Sequence, residues 1–284
     1  MITDTIVIYH GGCADGFGAA WAAWGMLGNS AEYVPGKYGE DPPDVTGKDV
    51  FLLDFSYKRP ALEAMIAVAA SVVVLDHHKT AQADLEPLLK SGALDGEFDM
   101  NCSGAAMAYK YFFPTESFFG RKTPSLIRHI QDRDLWRFEL DGTREIHAAL
   151  ISRPFDFQVW NEFAWDLENP SRRPLLIAEG AAILRSHDKL LGDLLGASTR
   201  EMVIGGVSVP VANLPWSMAS DGGNRLSVGQ PFAASYYDGQ DARHFSLRSQ
   251  ADGADVSEIA RRYDGGGHAR AAGFRMPLGW EGDR

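Results

Sequence analysis

Residues 5–24 read TIVIYHGGCADGFGAAWAAW. The first five form a continuous, largely β-branched apolar run, and the last eight carry alanines and aromatics in a helix-like pattern. His10, Cys13 and Asp15 lie in the glycine-containing corner between them. A phosphate-cradling loop would add a lysine, in G-x-x-x-x-G-K-[ST] order. This corner holds metal-type donors instead. The stretch therefore predicts a buried strand that hands polar ligands to the start of a helix.

The same grammar recurs downstream. DVFLLDF (49–55) and SVVVLDHH (71–78) read as strands, with a helical pattern over RPALEAMIAVAA (59–70) between them. Short apolar strands separated by helices predict a parallel sheet covered on both faces. Helical patterns follow over 103–113, 124–131 and 144–167. Pro174 is placed to open a helix at its first turn, and LLIAEGAAILRSHDKLLGDLL continues that helix as a connector.

Beyond it the pattern changes. EMVIGGVSVPVANLP (201–215) and PFAASYYDGQDARHFSLRS (231–249) read as hairpins, and VSEIARRYDGGGHARAAGFRM as a helix, a glycine turn and a strand. The expected fold is α/β. A parallel-sheet domain over 1–175 is joined by a connector helix, 176–196, to a smaller mixed α+β domain over 197–284.

With 284 residues, 45% of them hydrophobic, the chain can bury a large core. Its longest apolar stretch, 66–75, falls far short of the roughly 20 residues that span a bilayer. The first ten residues lack a basic signal-peptide n-region. A cytoplasmic protein without a membrane partner is expected. Two cysteines make no disulfide framework, and Cys102 reads as a small buried hydrophobe. The net charge of −11 argues against a charge-driven grip on long nucleic acid. It leaves room for a small phosphorylated substrate, since a bound metal reverses the local field.

Three predicted strands end in acids or histidines: His10 with Asp15 just beyond, Asp54, and Asp76-His77-His78. A single Asp at such a place is as readily a turn residue or helix cap. Three together point to one crevice at the carboxyl ends of the strands. Imidazole and carboxylate without a thiolate cluster suit Mn²⁺, Fe²⁺ or Zn²⁺. Two such ions would activate a water and clamp a phosphoryl oxygen. No G-x-S-x-G elbow is present, so acyl transfer loses ground. Toward the end, Gly265-Gly266-Gly267-His268 with Arg270, and Arg248 in FSLRS, offer a donor-rich wall for an anion.

At LDHH the chain resembles the DHH phosphoesterase superfamily. The resemblance spans nearly the whole chain: His10, Asp15-Gly16, Asp54, Asp76-His77-His78, the small-residue stretch NCSGA (101–105), Asp134 in RDLWRF, and the terminal GGGH after SLRS. It implies a catalytic DHH domain, a DHH-associated substrate-binding domain, and an active site in the cleft between them. It also implies two manganese ions, with Mg²⁺, Zn²⁺ or Fe²⁺ as substitutes. Asp54 would bridge both ions, His10 would bind the first, and Asp15, His77 and Asp134 the second. His78 would act near the scissile phosphate, with Asp76 orienting its neighbours. Arg248, Ser249, Gly266, Gly267 and His268 would hold the substrate's remaining phosphate or terminal nucleotide. Cys13 stands where the family often has an aspartate, and Asp132 is an alternative to Asp134 as ligand.

The aromatics Trp21, Trp24, Trp136 and Trp160 read as core and Trp216 as a freer loop residue. His129, His147, His187 and His244 read as surface or satisfied core. The expected activity is a metal-dependent phosphodiesterase or phosphohydrolase. It would cleave short oligonucleotides, dinucleotides or nucleotide ends with metal-activated water. The alternatives are a 5′-directed single-strand exonuclease of the RecJ type, an exopolyphosphatase-like enzyme, and a non-catalytic nucleotide-binding relative. An apolar face on the second domain or the connector would suit a homodimer.

Overall fold

The computed structural model describes residues 4–114 and 122–283. The chain divides into two compact units between Leu184 and Arg185. The first holds five parallel strands: β1 (Thr5–His10), β2 (Ala31–Gly36), β3 (Asp49–Leu53), β4 (Ser71–Asp76) and β5 (Asp95–Phe98), in the order β2-β1-β3-β4-β5. Its helices are α1 (Ala14–Leu27), α2 (Arg59–Ile66), α3 (Lys79–Ser91), α4 (Gly104–Phe112), α5 (Ser125–Asp134), α6 (Thr143–Ile151) and α7 (Phe157–Glu168).

Alternate strand residues feed two cores, as the two-residue period of a strand requires. Ile6, Ile8, Val50, Leu52, Val72 and Val74 pack with Leu62, Met65 and Leu85 from α2 and α3. Val7, Leu53 and Leu75 face the opposite way, toward α1, α4 and the helices that follow. Burial on both faces explains why β1, β3 and β4 read as unbroken apolar runs.

The two edge strands, β2 and β5, escape that reading. AEYVPG carries a proline, which edge strands tolerate. DGEF is largely exposed. The helix expected over 59–70 ends at Ile66. Strand order reverses between β1 and β3, so the crevice for a ligand lies beyond the carboxyl ends of those two strands.

A single 26-residue helix, α8 (Arg173–Ser198), carries the chain across the division between the units. No helix among the described residues is long and apolar enough to cross a membrane.

The second unit is a mixed sheet of β6 (Arg200–Ile204), β7 (Val207–Asn213), β8 (Ala233–Asp238), β9 (Arg243–Arg248), β10 (Gly266–His268) and β11 (Ala271–Met276), in the order β10-β11-β9-β8-β7-β6. Only β7 and β8 pair in parallel; the other neighbours are antiparallel. Two short helices, α9 (Ala219–Leu226) and α10 (Val256–Arg261), belong to this unit. Phe232, Phe245, Leu247 and Phe274 lie in its core.

Candidate metal centre

His10 closes β1, and the chain turns through Gly12, in the left-handed region at φ 75°, into α1. A side chain at Gly16 would meet the His10 carbonyl oxygen at 2.2 Å, so only glycine lets α1 start this close to the strand. Asp15, in the first turn of α1, is buried. Its Oδ2 accepts the Gly104 N–H at 2.6 Å and its Oδ1 the Ala105 N–H at 3.0 Å. The carboxylate therefore sits in the first turn of its own helix and against the first N–H groups of α4, positions that favour negative charge.

Gly104 has a second duty: a Cβ there would fall 2.3 Å from the Cβ of Asp54. Asp54 follows β3 in the left-handed conformation (φ 55°), and its N–H donates to the Leu75 carbonyl at 2.8 Å. Strained backbone of this kind persists where the surroundings over-determine it, often at functional sites.

These side chains meet. Asp54 Oδ2 lies 3.4 Å from His10 Nδ1, and Asp54 Oδ1 lies 3.0 Å from His77 Nε2. The same His77 nitrogen is 3.5 Å from Asp15 Oδ2 and 3.7 Å from Asp134 Oδ2. Two donor groups result, His10–Asp54–His78 and Asp15–His77–Asp134, each with its ligand atoms within 4.8 Å of one another.

Asp76 is fully buried and turned to its neighbours. Its Oδ1 accepts the N–H groups of His77 and His78 at 2.7 and 3.2 Å and contacts His78 Nδ1 at 2.6 Å; its Oδ2 accepts the Ser56 hydroxyl at 2.5 Å. A carboxylate on Nδ1 fixes the His78 tautomer and its ring direction.

Asp132 and Asp134 part company. Asp132 accepts the N–H groups of Glu139 and Leu140 and the Thr143 hydroxyl, closing the turn after α5, while Asp134 joins His77. Cys13 lies with its sulfur 4.0 Å from Asp54 Oδ2.

The electrostatics are those of crowded acids. Burial, then the charges of Asp54 and Asp134, push Asp15 well above the usual carboxylate range. Desolvation by its neighbours and the Asp54 charge also raise Asp134, against the pull of His77, although its side chain keeps 27% exposure. Burial opposes charge on Asp54, but the adjacent His10 and His77 rings outweigh it and hold this carboxyl well below its ordinary value. Burial likewise opposes a proton on His77, yet the surrounding carboxylates raise it to about 11.

Asp54 Oδ1, buried, accepts no well-aligned hydrogen bond among the described residues, although His77 Nε2 is near. An orphaned carboxylate oxygen, three converging acids and imidazole nitrogens suit a divalent cation. The donor set fits the metals implied by the sequence.

In the second unit, Arg248 donates to the Ser246 hydroxyl at 3.0 Å, the Leu247 carbonyl at 2.8 Å and the Ser220 hydroxyl at 2.8 Å. Both Arg248 of β9 and His268 of β10 lie in register with Ala271 of β11, so they share one row of the sheet. Gly266 and Gly267 belong to the same short strand, and Gly267 takes a φ of 139° where a Cβ would strike the Ala271 carbonyl. Ser249 is buried, and its hydroxyl finds no hydrogen-bond partner among the described residues.

Other residues lie outside these clusters. Trp160 is fully buried against Phe17 and Phe155, whereas Trp216 is 56% exposed. Trp136 and Phe138 take positive φ, and their rings pack with the guanidinium groups of Arg133 and Arg144. Cys102 is buried and accepts from Lys110 Nζ. His129 contacts Thr143 and Arg173, and burial together with Arg173 lowers it to about 4. His147 departs from a satisfied core histidine: its Nδ1 is buried with no hydrogen-bond partner among the described residues, and burial holds the ring neutral, down to about 3.

Two site residues were not anticipated. Ser56 braces Asp76, and Tyr38 places its ring 5.4 Å from His10 and 6.2 Å from His78. Ser56 is signalled only by its place two residues after Asp54. Tyr38 follows β2, the edge strand that the apolar pattern misses.

A parallel sheet with histidines and aspartates gathered at its reversal point, followed by a mixed-sheet unit that carries GGGH at 265–268, defines a class of protein rather than one activity. No protein-family model matches the chain. It is 32% identical over 295 residues to uncharacterized protein R106 of Acanthamoeba polyphaga mimivirus, covering 95% of this chain and 66% of that protein. It is 28% identical over 233 residues to oligoribonuclease NrnB of Bacillus subtilis strain 168, covering 75% of this chain and 54% of NrnB. The chain thus spans 66% and 54% of the lengths of these curated relatives.

Among solved structures, the DHH domain of a member of a ribosomal-protein family matches with a TM-score of 0.58 at 12% identity, covering 95% of this chain and 82% of that one. RecJ from Thermus thermophilus, in complex with Mn²⁺, matches with a TM-score of 0.50 at 16% identity, covering 96% of this chain and 49% of RecJ. The chain shares the fold of these DHH-domain proteins.

Proposed function

We propose that this protein is a metal-dependent phosphoesterase that hydrolyses short oligonucleotides, dinucleotides or nucleotide ends. The observation that carries the reading is the Asp54 carboxylate, which presents one oxygen to each of two donor groups. In this reading residues 1–175 are the catalytic DHH domain, 176–196 the connector and 197–284 the DHH-associated domain.

His10 and Asp54 would hold one divalent ion, and Asp15, Asp54, His77 and Asp134 the other; manganese is the first choice, with Mg²⁺, Zn²⁺ and Fe²⁺ as substitutes. Such a pair would supply an activated water at neutral pH and neutralise charge on the phosphoryl oxygens. The protein's own groups do the rest. Asp15 is fixed by two backbone N–H groups before any ion arrives, so its direction costs nothing on binding. Asp76 holds Nδ1 of His78 and fixes the ring direction; the doubly protonated ring would give its Nε2 proton to the departing oxygen and become neutral. Arg248, Ser249, Gly266, Gly267 and His268 bind the substrate's other phosphate or terminal nucleotide. The acidic chain and the likeness to a protein named as an oligoribonuclease both favour a short substrate.

The test is hydrolysis of a 5′-labelled series from dinucleotide to about 25-mer, with and without Mn²⁺. Fast, Mn²⁺-dependent cleavage of the shortest members, abolished in Asp54→Ala, is the expected result. Stepwise loss of mononucleotides from long strands alone would replace this reading with the exonuclease.

A further inference from the structure

Cys13 occupies the N-cap of α1, where a side-chain acceptor commonly caps the helix. It makes no such cap. Its sulfur is turned instead toward Asp54 Oδ2, at 4.0 Å, the same oxygen that lies 3.4 Å from His10 Nδ1. Cys13 is therefore not an isolated thiol. It adjoins the His10–Asp54–His78 group, whose donor atoms already lie within 4.8 Å of one another, and it faces the oxygen of the buried Asp54 that belongs to that group, while the other, Oδ1, is unsatisfied.

We propose that Cys13 is a ligand, as thiolate, of the ion held by His10 and Asp54, so that the two metal positions are chemically unequal. This rests on the metal centre of the proposed function. One position has sulfur, nitrogen and oxygen donors; the other, with Asp15, His77 and Asp134, has only nitrogen and oxygen. A thiolate is a soft donor and selects Zn²⁺, Fe²⁺ or Co²⁺ over Mn²⁺. The thiol proton leaves to solvent as the sulfur–metal bond forms, with no change of oxidation state. The sulfur position would therefore take an ion of the zinc or iron class, and the oxygen-rich position would accept manganese.

Cobalt reports the difference without any reliance on turnover. Metal-free protein titrated with Co²⁺ should show ligand-field bands and, at the first equivalents, a near-ultraviolet sulfur-to-cobalt charge-transfer band. Cys13→Ser should lose the charge-transfer band and keep the ligand-field bands, and Cys102→Ser should keep both. Cys13→Asp should also lose the charge-transfer band, while its preference for Co²⁺ over Mn²⁺ falls by about tenfold or more. Ligand-field bands without charge transfer in the wild type would overturn the thiolate and leave the metal centre standing. A charge-transfer band that survives in Cys13→Ser would overturn it equally. A wild-type protein that binds no cobalt would overturn the metal centre itself, and the thiolate with it.

Discussion

Asp54 Oδ1 lies 3.0 Å from His77 Nε2, a nitrogen that also faces Asp15 and Asp134. Three acids around one imidazole nitrogen favour a proton on that nitrogen when no metal is bound. A divalent ion at the same place substitutes for it.

Metal affinity should therefore rise with pH. His77 holds its proton up to about 11 because the carboxylates favour the charged ring. Across neutral pH, binding must expel that proton, so affinity should increase by up to about tenfold per pH unit for each proton released. Mn²⁺ titrations in buffers of differing ionisation enthalpy measure both the slope and the proton count. An affinity flat in pH would contradict the assignment of His77.

Gly104→Ala should damage the centre through packing alone. The new methyl group would sit 2.3 Å from Asp54 Cβ, with no flexible side-chain end to move aside. Overpacking of this kind costs about 1–3 kcal/mol. Urea unfolding should show that loss, and Mn²⁺ binding should weaken in parallel.

Asp76→Asn should leave the fold and KM nearly intact while lowering kcat by roughly 10²–10⁴-fold, the usual worth of a positioned proton donor. The amide cannot hold His78 Nδ1 as the carboxylate does. The discriminating readout is kcat set against KM and the urea midpoint: kcat should fall while the other two hold. A matching loss of the urea midpoint would assign Asp76 to folding.

Trp160→Ala should destabilise the first unit by about 3–5 kcal/mol, since the ring is fully buried between aromatics of α1 and the chain before α7. A change in the denaturation midpoint much below that would mean the site collapses to fill the cavity.

The central strands were legible because burial on both faces leaves an unbroken apolar run, and the strand-end residues His10, Asp54 and His77 follow from the parallel arrangement. The edge strands β2 and β5 carry proline, glycine and charge, so the same signal fails there, and Tyr38 was hidden with β2. Asp132 and Asp134 could not be separated by pattern. Two residues apart on a helix, they point about 200° away from each other, so only one can face the site. Packing around the Thr143 hydroxyl decides that it is Asp134. The duty of Gly104 toward Asp54 joins residues fifty positions apart and has no local signature.

The most direct test is the number of Co²⁺ ions, which suit both positions, retained per chain, by metal analysis after equilibrium dialysis at saturating ion, for the wild type and Asp54→Asn. If Asp54 serves both donor groups, the wild type holds two ions, and the variant, with its shared oxygen donor weakened, holds fewer than one. Two ions retained in Asp54→Asn, or no more than one in the wild type, would contradict the account.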